Sequence, residues 1–150
     1  MALDDDIRIL SAVRLFEGFT REQLRLMAFG AESLRIGAGK ELYLEGDTAE
    51  SAYIVTSGRI RLFRERDGDV VLLGTVGPGT MLGELGLIAE TKRLTGAIAE
   101  IDTEAVRLSR KMFRRILEEF PEVAAMLQQR ITEELQDLIT QIAKLAPRFA

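Results

Sequence analysis

The middle of the chain, residues 33–109, most constrains the fold, because it consists of short segments in which apolar and polar residues alternate. Ile60 and Leu62, for example, share one face of a predicted strand, and their polar neighbours point the other way. Glycine, proline and aspartate separate the segments as turn residues do, and Asp67-Gly68 is typical of a hairpin turn. The pattern predicts a sandwich or barrel of about eight strands.

Helical patterns flank this region on both sides. Residues from about 4 to 30 have apolar side chains at helical spacing, and Thr20 to Gln23 form a capping box that opens a second helix. On the other side, Ser109 is a plausible N-cap for a short helix, and Pro121 begins a long one that ends near Pro147. We therefore expect two N-terminal and two C-terminal helices around the strands.

The long final helix has an apolar stripe that continues for about six turns. Its members recur at steps of three or four residues: Val123, Leu127, Ile131, Leu135, Leu138, Ile142 and Leu145. Such a stripe predicts a homodimer through this helix, with packing against the chain's own β unit or a partner protein as the alternatives.

Length and composition predict one domain, residues 1–150, of the α+β class and mainly β. Its parts are N-terminal helices at about 4–30, a β-roll at about 33–109 and C-terminal helices at about 110–146. The roll is expected to be an eight-stranded antiparallel jelly roll.

Composition also limits the possible functions. The 150 residues include no cysteine and no histidine, which removes thiolate chemistry, the commonest general base and the commonest transition-metal ligand. We therefore expect no catalytic residue, no metal and no cofactor. The formal net charge of −4 argues against direct binding of nucleic acid, and the arginines between residues 59 and 66 are interpreted as a solvated face. No segment resembles a signal peptide or a membrane span, so a cytoplasmic protein without membrane contact is predicted.

The segment from Gly83 to Gly96 is the strongest candidate for a binding site. Gly83 and Gly86 let the backbone approach a ligand closely, and Arg93 supplies a cation for an anionic group. Glu84 would repel that anion unless it accepts a hydrogen bond from a neutral group such as a sugar hydroxyl. A hydroxyl beside a phosphate is the description of a nucleotide.

The order of these parts resembles the cyclic nucleotide-binding domain family, as in catabolite activator protein and the regulatory subunits of protein kinase A. The resemblance covers nearly the whole chain. It rests on five motifs in the family's order: Leu15-Phe16-x-x-Phe19 with Glu22-x-Leu24, Gly39-x-x-Leu42-x-x-Glu45-Gly46-Asp47, Tyr53-Ile54-Val55-x-x-Gly58, Gly77-x-Gly79, and Gly83-Glu84-Leu85-x-Leu87 through Arg93.

The resemblance implies a role for each residue of the loop. Glu84 would accept a hydrogen bond from the ribose 2′-hydroxyl, Arg93 would pair with the cyclic phosphate, and the backbone N–H groups of about Leu85 to Leu87, with Gly86 between them, would complete the cradle. The ligand would be cAMP or cGMP. A residue midway along the last helix would cover the base, which places this lid near Leu138 and Ile139.

The sequence departs from the family's pattern directly after Arg93. Family members usually place a small residue there, whereas this chain has Leu94, followed by Thr95 as a possible substitute hydroxyl. The leading interpretation is a non-enzymatic sensor that signals through its C-terminal helices. The alternative is a degenerate member that serves as a protein-interaction scaffold without nucleotide. An enzyme of the cupin type is disfavoured, because such enzymes normally use a histidine-rich metal site.

Overall fold

The structure, a computed structural model, describes residues 2–145, apart from the side chains of 2–4, 6, 134, 135, 138, 142 and 145. Contacts divide the chain into two compact units, of which the first ends at Ile116 and the second begins at Leu117. The first unit contains every strand and the candidate site.

The chain begins with two short helices, α1 (Ala2–Ser11) and α2 (Arg21–Gly30), joined through a 3₁₀ turn at Arg14–Phe16. The predicted capping box is confirmed: the Thr20 hydroxyl accepts from the Gln23 amide at 3.2 Å, and the Gln23 side chain accepts from the Thr20 amide at 2.9 Å. Phe16 is almost completely buried, and its ring lies 5.2 Å from that of Phe19. The helices are therefore anchored by a small aromatic cluster.

The β-roll predicted from the alternating pattern is confirmed. Its strands are β1 Glu32–Ile36, β2 Glu41–Tyr43, β3 Thr48–Ala49, β4 Ser51–Ser57, β5 Ile60–Arg66, β6 Asp69–Val76, β7 Met81–Leu82, β8 Thr91–Lys92, β9 Gly96–Ala99 and β10 Thr103–Ser109. One four-stranded sheet has the order β1-β10-β4-β7 and the other β2-β9-β5-β6, which gives the eight strands expected. All of these pairs are antiparallel. A further two-residue pair, β3 with β8, was not expected from the sequence.

The hydrophobic core of the roll takes its side chains from both four-stranded sheets. Its buried members are Ile36, Val55, Ile60, Leu82, Ala97, Ala99 and Ala105. Ile60 is completely buried, as the alternation in β5 predicts, whereas the consecutive residues Ile54 and Val55 of β4 are both completely buried. The small alanines of β9 and β10 let the two sheets approach closely.

The hairpin of β5 and β6 has the turn that its sequence predicts, but the apolar residues of β6 are not buried. Asp67 and Gly68 both have positive φ, 55° and 81°, as a tight two-residue turn requires. Val70, Val71, Leu72 and Leu73 are all exposed, between 44% and 66%, although they are apolar. β6 is an edge strand of its sheet, so it has a neighbouring strand on one side only.

Two helices follow the roll, α4 (Arg110–Glu119) and α5 (Pro121–Leu145). The predicted N-cap is confirmed, because the Ser109 hydroxyl accepts from the Met112 amide at 3.2 Å. With 25 residues α5 is about 37 Å long. Val123 and Leu127 are buried, as the predicted stripe requires. The side chains of Leu135, Leu138, Ile142 and Leu145 lie outside the described residues.

Over the described part of the chain, no helix is both long enough and apolar enough to cross a membrane.

Gly58 tests how tightly the turn between β4 and β5 is packed. An added Cβ there would lie 2.7 Å from the Asp102 carbonyl oxygen, whereas one at Gly68 would meet nothing within 4 Å. Both glycines have positive φ, so both alanine variants share a backbone strain of about 1–2 kcal/mol. We expect Gly58→Ala to lower the free energy of unfolding by about 1–3 kcal/mol more than Gly68→Ala does. Chemical denaturation measures both, and equal losses would contradict the close packing.

Candidate functional site

The backbone of Arg93 is held by the turn between β2 and β3. Its amide donates to the Asp47 carbonyl at 2.7 Å, and its carbonyl accepts from the Gly46 amide at 2.8 Å. The turn is shaped by the Asp47 carboxylate, which accepts from the Leu44 amide at 3.0 Å, and by a positive φ of 89° at Gly46. The Gly46-Asp47 motif therefore fixes where the side chain of Arg93 starts.

The guanidinium of Arg93 is buried, with 6% of the residue exposed, and only part of its hydrogen-bonding capacity is used. Its Nη2 donates to the Ser51 carbonyl at 2.9 Å and lies 3.4 Å from the Ser51 hydroxyl. Its Nη1 is buried and has no hydrogen-bond partner among the described residues. A buried cationic donor without an acceptor is costly to a folded protein, so this nitrogen calls for an acceptor that the described residues do not supply.

Two tyrosine rings pack beside this guanidinium. Its Cζ lies 4.5 Å from the ring centroid of Tyr43 and 5.5 Å from that of Tyr53, within the range of cation–π contacts. The two rings are 5.9 Å apart. Burial raises the pKa of Tyr43, while a hydrogen bond with the Thr95 side chain and the nearby charge of Arg93 act in the opposite direction.

The Gly83-Glu84-Leu85-Gly86 segment follows β7 and enters the short helix α3, Leu85–Ile88. Gly83 has a positive φ of 73°, and any side chain there would overlap Nη1 of Arg93. A Cβ at Gly86 would lie 2.6 Å from the Ser51 carbonyl oxygen. Both glycines are thus required by close approach of the backbone to its neighbours, as their spacing suggested.

The turn at this segment uses some of the amides that the resemblance assigned to a ligand. The Gly86 amide donates to the Gly83 carbonyl at 2.9 Å, and the Leu87 amide donates to the Glu84 carbonyl at 3.1 Å. The side chain of Leu87 is buried at 2% exposure. These amides therefore hold the turn in shape, and a ligand would have to share them.

A cavity of about 260 Å³ lies against this loop. It is lined by residues 81–86 and 91–95 together with Tyr43, Ala49 and Leu62. One water occupies about 30 Å³ of liquid, so the space suits a small molecule better than a single ion. The Glu84 carboxylate belongs to the lining, and within the described part of the chain it forms no ion pair with Arg93.

The structure brings most of the predicted site residues to this cavity. Gly83, Glu84, Leu85, Gly86, Arg93, Leu94 and Thr95 all line it, and Leu87 does not. Leu94 is 66% exposed. Of the two proposed lid residues, Ile139 is 49% exposed on the second unit, and the side chain of Leu138 lies outside the described residues.

Sequence reasoning missed three residues that contact Arg93, namely Tyr43, Ser51 and Tyr53. Their positions in β2 and β4 gave no signal of a shared site, because they meet only when the two sheets pack. It also missed Arg110, whose Nη1 donates to the Ala49 carbonyl at 3.0 Å and lies 3.4 Å from the Gly86 carbonyl.

Three arginines of the hairpin region pair with nearby carboxylates. Arg59 and Arg61 lie 3.5 and 3.3 Å from the Glu100 carboxylate, and Arg66 lies 3.0 Å from that of Glu45. The pKa of Glu45 is lowered, mainly because its carboxylate accepts a hydrogen bond from Arg66. Over the part of the chain that the structure describes, no group of three acidic, histidine or cysteine side chains is arranged to hold a metal ion.

The fold agrees with comparisons to known proteins. The model of the cyclic nucleotide-binding domain family matches residues 33–120. The chain belongs to this family. The match includes all ten strands except the first residue of β1, and it includes the whole cavity lining. The resemblance stated from the sequence motifs is confirmed.

Individual members of the family are similar over most of this chain. The structure of a cyclic nucleotide-binding-like protein from Brucella abortus is 60% identical, with a TM-score of 0.72, and the match covers 77% of this chain and 99% of that one. The cyclic AMP receptor protein of Thermus thermophilus is 33% identical over 124 residues, which cover 79% of this chain and 57% of the receptor. A lysophospholipase of Chaetomium globosum is 35% identical over 112 residues, 74% of this chain but 7% of the enzyme. The chain thus spans less than a tenth of that lysophospholipase.

Proposed function

We propose that this chain is a non-enzymatic sensor module that binds a cyclic nucleotide, cAMP or cGMP, in the cavity beside α3. The phosphate would bind to Arg93, and the signal would leave through the C-terminal helices. A cytoplasmic location and the absence of direct contact with nucleic acid or membrane remain predictions from the sequence.

The observation that carries this proposal is the unpartnered Nη1 of Arg93. A cyclic phosphate offers anionic oxygens, and a charge-assisted hydrogen bond would satisfy the buried nitrogen. Because Nη1 lies against Gly83, binding requires a small shift of the Gly83–Gly86 turn away from it. A glycine at each end of the turn supplies the backbone freedom for that movement.

The Glu84 carboxylate supports a ligand that also carries a hydroxyl group. It lines the same cavity and forms no ion pair with Arg93 among the described residues. An internal Glu84–Arg93 ion pair that stabilises the roll is therefore not the role of these two charges. A free carboxylate near a bound phosphate is favourable only when it accepts a hydrogen bond from a neutral donor. The ribose 2′-hydroxyl of a cyclic nucleotide is such a donor.

No residue of the cavity lining is assigned to the base, so the site itself gives no reason to prefer adenine or guanine. A relative from Thermus thermophilus is named as a cyclic AMP receptor, so cAMP is the first ligand to test and cGMP the second. The lid at Leu138 and Ile139 remains a prediction. An apolar lid would discriminate poorly between adenine and guanine.

Arg93→Met tests the phosphate assignment and separates it from a structural role. Removing one side of a buried charge pair costs about 2–5 kcal/mol, so cAMP binding measured by calorimetry should weaken by that amount. The free energy of unfolding without ligand should stay the same or rise, because an apolar side chain replaces a half-satisfied buried cation.

Arg35→Met is the matched control, since Arg35 is an exposed arginine paired with Glu104 and is not part of the cavity lining. It should leave the dissociation constant unchanged. The assignment is wrong if Arg93→Met binds cAMP as the unmodified chain does, or if its loss of binding merely follows a loss of folding.

A route from the cavity to the C-terminal helices begins at Arg110, the first residue of α4. Its side chain donates to the Ala49 carbonyl at 3.0 Å and lies 3.4 Å from the Gly86 carbonyl, while its amide donates to the Glu50 carbonyl at 2.8 Å. The start of α4 is therefore bonded to the turn that must shift when the phosphate binds. Such a contact, present in one state and altered in the other, couples a ligand to a helix.

Arg110→Met tests this coupling. We expect saturating cAMP to increase the hydrogen-exchange protection of α4 and α5 in the unmodified chain, and to do so much less in Arg110→Met. The dissociation constant should change by less than about tenfold, which is roughly 1.4 kcal/mol. Arg114→Met, on the exposed face of the same helix, should behave as the unmodified chain. Equal protection in both variants would contradict a route through Arg110.

Self-association through α5 also remains a proposal. Val123 and Leu127 are buried, whereas Ile139 is half-exposed further along the helix. A dimer that uses the distal stripe should appear as a sedimentation coefficient of the full chain that rises with concentration. A monomer at every concentration would favour a role for α5 within the chain or toward a partner protein.

The alternative function, a scaffold without nucleotide, is favoured by one observation. Leu94 and Leu85 line the cavity and are 66% and 52% exposed, so part of its wall is apolar where a phosphate would bind. The calorimetric experiment distinguishes the two functions, because a scaffold binds neither cAMP nor cGMP.

A further inference from the structure

The hydrogen bonds of Arg93 do not by themselves fix the direction of its guanidinium. Both of its contacts to Ser51 involve the same nitrogen, Nη2. A planar group held through one nitrogen can still tilt about that contact. A second constraint must therefore keep Nη1 beside Gly83, where the phosphate would arrive.

Tyr43 supplies this constraint. Of the two neighbouring rings it is the closer one, with its centroid 4.5 Å from Cζ against 5.5 Å for Tyr53. A guanidinium is planar and stacks on an aromatic face, which restricts its tilt without using any of its N–H groups. Tyr43 also lines the cavity, whereas Tyr53 does not.

The ring of Tyr43 is itself held in place. Its strand pairs with β9, where Ala97 is its partner, and Thr95, two residues before Ala97 in the chain, lines the same cavity and acts on the pKa of the Tyr43 hydroxyl as a hydrogen-bond partner does. The side chain of Thr95 is therefore placed to support the ring of Tyr43. In this arrangement Thr95, two residues after Arg93, supports the ring of Tyr43 and is not needed as a direct contact to the phosphate.

We propose that Tyr43 is a positioning residue for the ligand phosphate: its ring orients the Arg93 guanidinium, and Thr95 acts by fixing that ring rather than by contacting the ligand. This inference rests on the proposed function, and it names how the same site is prepared before ligand arrives.

The test is a set of variants, namely Tyr43→Phe, Tyr43→Leu, Thr95→Val and the double variant Tyr43→Phe/Thr95→Val, each titrated with cAMP and cGMP by calorimetry. Tyr43→Phe keeps the ring and should bind within about threefold of the unmodified chain. Tyr43→Leu removes a desolvated cation–π contact and should bind about tenfold more weakly. Thr95→Val should cost about threefold or less and should add nothing in the Tyr43→Phe background, because both changes remove the same hydrogen bond.

Two binding results would overturn the proposal. One is Tyr43→Leu with unchanged affinity. The other is Thr95→Val with a loss of tenfold or more that persists in the Tyr43→Phe background, since that pattern indicates a direct contact between Thr95 and the ligand. Thermal unfolding of each variant shows whether a lost affinity reflects lost folding, and rescue by the Phe variant separates ring stacking from the hydroxyl.

A second measurement needs no nucleotide. The side-chain NMR signals of Arg93 should be shifted by the ring of Tyr43 in the unmodified chain and in Tyr43→Phe, and should move toward those of an exposed arginine in Tyr43→Leu. If the unmodified chain binds neither nucleotide, the proposed function fails, and this measurement alone decides the orienting role. Identical Arg93 signals in all three proteins would overturn it.

Discussion

The free energy of burying the Arg93 guanidinium is the constraint on which the rest of the site depends. A cation that is 6% exposed needs acceptors, and the part of the chain that the structure describes provides them for Nη2 but not for Nη1. The rings of Tyr43 and Tyr53 offset part of the free-energy cost of burying this cation, although they supply no hydrogen-bond acceptor. The folded protein thus retains an unsatisfied donor, which is typical of a site whose partner is a ligand.

Much of the roll can be understood as support for that side chain. The Gly46-Asp47 turn fixes the backbone of Arg93, and the short pair of β3 with β8 holds that turn next to the residues that precede Arg93. The pairing of β4 with β7 places Gly83, which follows β7, beside Nη1. Arg110 then bonds the same segment to the start of α4. The proposed binding site and the proposed route for its effect are therefore adjacent in one compact unit.

The sequence predicted those features that depend on local patterns. Alternation and turn residues indicated the two sheets, and Thr20, Ser109 and Asp67-Gly68 indicated helix starts and a hairpin. It did not predict the contacts of Tyr43, Ser51 and Arg110, because these depend on how separate segments pack. The exposure of β6 was also missed, since an edge strand and a central strand can have the same apolar composition.

The central claim is that the buried donor of Arg93 awaits the phosphate of a cyclic nucleotide. The most direct test is thermal and chemical unfolding of the unmodified chain with cAMP, cGMP, and AMP as a nucleotide without the cyclic phosphate. At a hundredfold excess over the dissociation constant, a cyclic nucleotide should raise the free energy of unfolding by about 2.7 kcal/mol, and AMP should raise it far less. An unchanged unfolding free energy with both cyclic nucleotides would contradict the account.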